Sequence, residues 1–329
     1  MERQRNLLRH AVKNNSILPI EYEMLCFVCE KVERAIKSTV SYKEKIDSQP
    51  LYDSYLIVAN DKPYVLKINL SPDLPNFWNE LCLNNFDFHP KIIAYSKEED
   101  DYKFICYEMP KGIFASDISN YILAPKLNLQ KKLASSLKKM HQVKLSDKDN
   151  TNQILDSMLP AEASLIWNKY PAVELFSEVK VIFNQVYPRS TERLGVCHFN
   201  LTGDSLIDTS DEFKFIDFEY SANANNIIDL LLAKETLSAS DQSFDIFLQF
   251  YGINKQEIKP YLDSADLFCF AYFNSKIVAE YMTFGMRDPI KLKLLINKAG
   301  DIYERIKDKL FVSKTLDKNI TYIYNLWKS

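Results

Sequence analysis

The sequence predicts an α+β chain in two parts: a small β-rich lobe carrying helix, followed by a large, mainly helical lobe. Three observations predict it. Two apolar, β-branched runs, "YDSYLIVAND" and "KPYVLKINL", meet at Asn60-Asp61, the signature of a tight hairpin. A break at Pro110-Lys111-Gly112 divides the chain. Beyond it nearly every long segment has helical spacing, which sets lobes at residues 1–109 and 110–329.

In order, residues 20–37 read as a helix, 52–61 and 62–70 as paired strands, and 76–86 as a second helix. Residues 91–96 and 102–109 read as strands. The second lobe reads as helices over 128–143, 160–187, 226–237, 241–250, 263–284 and 289–309, interrupted by short strands in "GVCHF", "SLIDT" and "FKFIDF".

Composition narrows the function. The 329 residues are 47% hydrophobic and 26% charged, with a net charge of −3 and well-mixed signs, so no basic face announces nucleic acid. No run of about 18 apolar residues marks a membrane span, and residues 1–15 are polar rather than signal-like, so the reading is cytoplasmic. The expected partners are small molecules, with a protein partner allowed if catalysis is lost. Cys26 and Cys29 form a lone CxxC in a helical pattern; with no second pair, they read as buried helix thiols rather than a zinc site.

Chemistry concentrates in residues 195–220, "GVCHFNLTGDSLIDTSDEFKFIDFEY". His198-x-Asn200, with Ser205 five residues on and a strand ending in Asp217-Phe218-Glu219, has the spacing of the kinase catalytic loop H-x-D-x-x-x-x-N and its metal-binding D-F-G. With Tyr220 after Glu219 and Asp229 in "NNIIDLLLA", the pattern resembles the choline/ethanolamine kinase and aminoglycoside phosphotransferase superfamily, the choline kinase branch most.

That resemblance implies a bilobal protein-kinase-like fold binding ATP and Mg²⁺. It assigns Lys67 in "PYVLKI" to phosphate, Glu80 in "NELCLNN" to pairing with that lysine, and Glu108 in the hinge "CYEMPKG" to the nucleotide side. "LASSLKKMHQV" resembles the helix before the catalytic loop. Asp217 and Ser205 fall at the metal positions, Asn200 at the base, His198 where it positions the loop backbone, and Glu219 and Tyr220 near the acceptor. Asp229 is expected to tie a helix start to that loop.

Three departures weaken the enzyme. Phosphoryl transfer to an alcohol uses a carboxylate to orient and deprotonate the hydroxyl, and the Asn200 amide can orient without accepting the proton. Ser205 replaces a metal-binding amide, although a hydroxyl can ligate Mg²⁺; Asp204 beside it reads as a solvated turn residue. The segment "KEKIDSQPLYDSYL" has no glycine to bring backbone N–H groups to phosphate, leaving Ser48, Ser54 and Pro50. Two readings follow: a catalytically impaired protein that binds ATP-Mg²⁺ and a small hydroxylated metabolite, or an active small-molecule kinase with a non-standard loop. The sequence favours the first, and on its own favours no gain from Asn200→Asp. The aromatics of "DLFCFAYFNSKIVAEYMTF" read as core, and the family's choline site has tryptophans in this region whereas Trp78, Trp167 and Trp327 lie elsewhere. Choline is disfavoured.

Overall fold

The computed structural model describes residues 19–48, 52–69, 82–97, 99–114, 127–157, 172–188, 192–237, 239–284, 289–309 and 318. The chain forms two compact units, residues 1–112 with 214–219, and residues 113–213 with 220–329.

In the first unit Asn60 and Asp61 adopt φ of 49° and 61°, the paired left-handed conformation of a two-residue hairpin turn. They join β2 (Tyr52–Ala59) to β3 (Lys62–Asn69). With β1 (Ser41–Ser48), β4 (Ile92–Tyr95) and β5 (Phe104–Glu108) these build an antiparallel sheet of order β1-β2-β3-β5-β4. Strand alternation gives it two faces. Tyr55, Ile57, Leu66, Ile68 and Phe104 pack with Leu25, Val28, Cys29 and Val32 of helix α1 (Pro19–Ile36), forming the core of this unit. On β3, Val65 and Lys67 alternate with these core residues. Lys67 stands in register with Ser54 on one side and Ile105 on the other.

Of the helix expected over 76–86, residues 76–81 lie outside the described residues, residue 82 is helical, and the expected end is corrected to that point. Residues 83–86 form turns, with Phe86 N–H donating to Leu83 O at 3.0 Å and the Asn84 side chain accepting from Ile92 N–H at 2.8 Å. An asparagine side chain that bonds nearby backbone competes with helix.

The second unit holds helices α2 (Leu127–His141), α3 (Thr151–Ser157), α4 (Ala172–Val186), α5 (Asn226–Thr236), α6 (Asp241–Tyr251), α7 (Lys255–Ile258), α8 (Leu262–Phe284) and α9 (Pro289–Ile306). Short β6 (Ile113–Phe114) pairs with β8 (Leu206–Asp208), and β7 (Leu194–Cys197) with β10 (Ala222–Asn225). β9 (Phe213–Phe215) carries the chain back into the first unit. Phe268, Phe270, Tyr272 and Phe273 on α8 are buried, so the aromatic run is core, and α8 packs against α4, α5 and α9. The sequence gives no sign of β10, whose "ANAN" lacks apolar alternation. Its asparagines act through their side chains: Asn225 caps α5 by accepting from Ile227 N–H at 2.9 Å, and Asn223 donates to Lys148 O at 2.8 Å. Among the described residues no helix is long and apolar enough to cross a membrane.

β7 runs close against the end of α2. A Cβ on Gly195 would lie 1.9 Å from the His141 carbonyl oxygen. The atom it would strike is backbone and cannot swing aside, so Gly195→Ala should cost about 1–3 kcal/mol or more through forced displacement. A melting midpoint equal to that of the parent chain would contradict this.

Candidate functional site

The chemistry-bearing loop starts where β7 ends. Phe199 has φ of 55°, a left-handed conformation that costs a β-carbon-bearing residue about 1–3 kcal/mol. Asp229, on the first turn of α5, compensates. One carboxylate oxygen accepts from His198 N–H at 2.9 Å, and the other from Phe199 N–H at 2.8 Å. His141 Nε2 lies 3.0 Å from the same carboxylate, while its Nδ1 meets the Tyr251 hydroxyl at 2.7 Å. With Nε2–H donating to the carboxylate, Nδ1 accepts from the phenol. Burial alone raises the Asp229 carboxyl, but the His141 hydrogen bond and the loop amides outweigh it and hold it below its usual range. Asp229 thus ties the helix start to the loop, as expected.

His198 is fully buried, and its Nδ1 accepts from Asn200 N–H at 3.2 Å, so it positions the next part of the loop. Ser205 closes that loop upon itself. Its hydroxyl lies 2.9 Å from Asn200 O and 3.0 Å from Thr202 O as donor, and accepts from Thr202 N–H at 2.9 Å. Its hydrogen and one of its two lone pairs are taken up by backbone. Asp204 is exposed.

The Asn200 side chain is 8% exposed, and its Oδ1 accepts from the Tyr272 hydroxyl at 2.8 Å. Beside it, Lys276 Nζ stands 4.7 Å from the Tyr220 ring centroid and 5.3 Å from that of Tyr272. The sequence offers Tyr272 among aromatics that could face a cation but favours core for it, and it gives Lys276 no role. The available signal was their i, i+4 spacing on one helix.

The first unit contributes a second constellation. Lys67, 2% exposed on β3, forms a direct ion pair with Asp217, and its Nζ lies 5.9 Å from the Tyr107 ring centroid. Asp217 has φ of 66°. Its neighbours anchor it: Phe215 N–H donates to Phe88 O at 2.8 Å, and the buried Phe218 ring packs on His89 at 5.2 Å between centroids. Residues 150 apart in sequence are thereby brought together. Glu108 ends β5 opposite Tyr64, whose phenol is raised first by burial and then by the Glu108 charge. Glu80, the three tryptophans and the Glu219 side chain lie outside the described residues.

His141, Cys197 and Asp229 also bring ligand-type atoms within 4.8 Å of one another. Their chemistry is structural. The Cys197 thiol donates to Ala224 O at 3.4 Å, and burial followed by the Asp229 charge pushes it well above its ordinary value, against the thiolate a metal needs.

No family model matches the chain, and no curated protein matches it by sequence. Solved structures do match it. A choline kinase from Cryptosporidium parvum Iowa II superposes with a TM-score of 0.60 at 13% identity, over 93% of this chain and 99% of that one. The chain has the protein-kinase-like α+β fold of the choline and ethanolamine kinases and the aminoglycoside phosphotransferases. A Plasmodium vivax ethanolamine kinase gives 0.57 at 15% identity, covering 90% and 93% of the two chains. A thermostable mutant aminoglycoside phosphotransferase, solved as a ternary complex with AMP-PNP and hygromycin B, gives 0.58 at 10% identity, covering 86% and 99%.

Proposed function

We propose that this chain binds ATP with Mg²⁺ and a small hydroxylated metabolite, and that its phosphoryl transfer is impaired because Asn200 stands at the base position. The observation that carries the reading is the Lys67–Asp217 ion pair. A phosphate-type cation and a metal-type carboxylate neutralise each other on strained, well-anchored backbone. The aminoglycoside phosphotransferase seen with AMP-PNP and hygromycin B adds support, since a chain of this fold holds both a nucleotide and a second small molecule.

The residues fit a nucleotide and one metal ion. Lys67 would meet phosphate oxygens as a buried point charge, and Asp217 is the carboxylate that would hold the metal. Bound Mg²⁺ would neutralise charge on the phosphates. Ser205 braces its loop through backbone hydrogen bonds and keeps one lone pair, with which it is assigned as the second metal residue. Glu80 is assigned to orienting Lys67, Glu108 to the nucleotide side, and Glu219 and Tyr220 to the acceptor. Asn200 orients the acceptor hydroxyl but cannot take its proton, a loss worth on the order of 10²- to 10⁴-fold in rate.

Thermal melting tests the binding. Mg²⁺-ATP at about 100 times its dissociation constant should stabilise the chain by about 2.7 kcal/mol. Lys67→Met should abolish the shift, and Asp217→Asn should remove its dependence on Mg²⁺. An unchanged midpoint for the parent chain in saturating Mg²⁺-ATP would overturn the reading.

A further inference from the structure

The pairing of β2 with β3 sets a hydroxyl beside the buried lysine. Ser54 stands directly opposite Lys67 in the antiparallel register. Opposite residues in such a pair project to the same face, with their β-carbons about 4.5–5.5 Å apart. Strand alternation separates Ser54 from its neighbours along β2: Tyr55 packs in the core against α1, and Asp53 accepts from the Tyr55 hydroxyl at 3.1 Å and from Lys45 Nζ at 2.8 Å. Ser54 therefore shares the Lys67 face, and both are buried, at 6% and 2% exposure. Ile105 stands opposite Lys67 on the other side, and Tyr107 opposite Val65. Ser48 stands opposite Asp53, one position out of that register. An ammonium has donors only, and a serine keeps its O–H whatever its oxygen accepts. Two donors, one of them charged, thus lie side by side, and their complement is a group with several anionic oxygens.

We propose that the Ser54 hydroxyl and the Lys67 ammonium together bind one phosphate group of the nucleotide, so that this strand pair supplies through side chains what a glycine-rich loop supplies through backbone N–H groups. The glycine-free segment between β1 and β2 gives the device its purpose. The two groups divide the work. Lys67 contributes a compact charge with little directional preference, and Ser54 a directed O–H whose bond to an ionised oxygen is roughly twice as strong as a neutral one. The direct ion pair with Asp217 shows that this ammonium takes an anionic oxygen. The inference rests on the proposed reading in placing phosphate at Lys67, and it assigns Ser54 as a further phosphate-binding residue.

Calorimetry on the full chain tests this with Mg²⁺-ATP and with inorganic tripolyphosphate plus Mg²⁺ as probes, and adenosine as the phosphate-free control. Ser54→Ala, folded as judged by circular dichroism, should weaken each phosphate probe that the parent chain binds by about tenfold or more, the worth of one hydrogen bond to a charged group. Ser54→Thr keeps the hydroxyl and suits a strand, so it should stay within about threefold of the parent chain. Adenosine should not distinguish the parent chain from Ser54→Ala. Equal affinity of the parent chain and Ser54→Ala for the phosphate probes overturns the inference, as does an equal loss in Ser54→Thr or a loss shared by adenosine. The two probes separate the two ideas. Binding of tripolyphosphate but not ATP, weakened by Ser54→Ala, leaves the inference standing and removes the nucleotide reading. ATP binding that Ser54→Ala leaves unchanged does the reverse, and a parent chain that binds neither probe removes both.

Discussion

Exchanging Asp229 for asparagine should destabilise the second unit by about 3–5 kcal/mol, the usual cost of removing one partner from a buried charged network. The carboxylate accepts from His198 N–H, Phe199 N–H and His141 Nε2, and it is wholly buried. Asparagine keeps one acceptor oxygen and turns two N–H donors toward groups that are themselves donors. At least one buried N–H is orphaned, and the left-handed Phe199 loses a restraint. The pH dependence follows from the lowered carboxyl. Its unfolded value is about 3.9, so its stabilisation is fully present above that pH and is lost as pH falls through the lower folded value. Urea denaturation of both proteins should therefore show a gap that is constant near neutrality and shrinks below about pH 4. A gap under 1 kcal/mol at pH 7 would remove Asp229 as the organiser of the loop.

Asn200→Asp should raise phosphoryl transfer by about 10²-fold or more, because the acceptor hydroxyl regains a proton acceptor. The two changed letters at 200 and 205 alone favour no gain. The hydrogen bonds of the loop shift that expectation. Asp229 and His198 set the backbone from His198 to Asn200 through main-chain N–H groups, whatever side chain stands at 200. A carboxylate there would take the Tyr272 hydroxyl on one oxygen and leave the other for the acceptor. ATP consumption by the parent chain, Asn200→Asp and Asn200→Asp with Ser205→Asn, across sugars, aminoglycosides, ethanolamine and choline, measures the effect. Rates indistinguishable among the three would place the impairment elsewhere than at the base, and rapid turnover by the parent chain would show that no impairment exists.

Much of this was legible in the sequence. The hairpin followed from Asn60-Asp61 because few dipeptides tolerate two positive φ values in succession. The long helices followed from apolar spacing, and the order of His198, Asn200, Ser205 and Asp217 pointed to the loop after β7 as the candidate site. Local rules suffice for these because each depends on neighbours along the chain. β10 was invisible because its strand character comes from pairing with β7 and from side-chain bonds of Asn223 and Asn225, which no alternation announces. The end of the helix expected over 76–86 was placed too late, because Asn84 bonds to a backbone group eight residues on and spacing does not announce it.

The sequence by itself determined the fold class and which residue types stand at the candidate positions, since periodicity and spacing are one-dimensional properties. Only the tertiary structure decided what those side chains are engaged with. Lys67 meets Asp217 across 150 residues, Ser205 is bound to its own loop, and the Asn200 amide accepts from Tyr272 while Lys276 stands over the same ring. The reason is physical: hydrogen bonds and ion pairs act over a few ångströms, and the chain brings these groups within that range only when its strands and helices have packed.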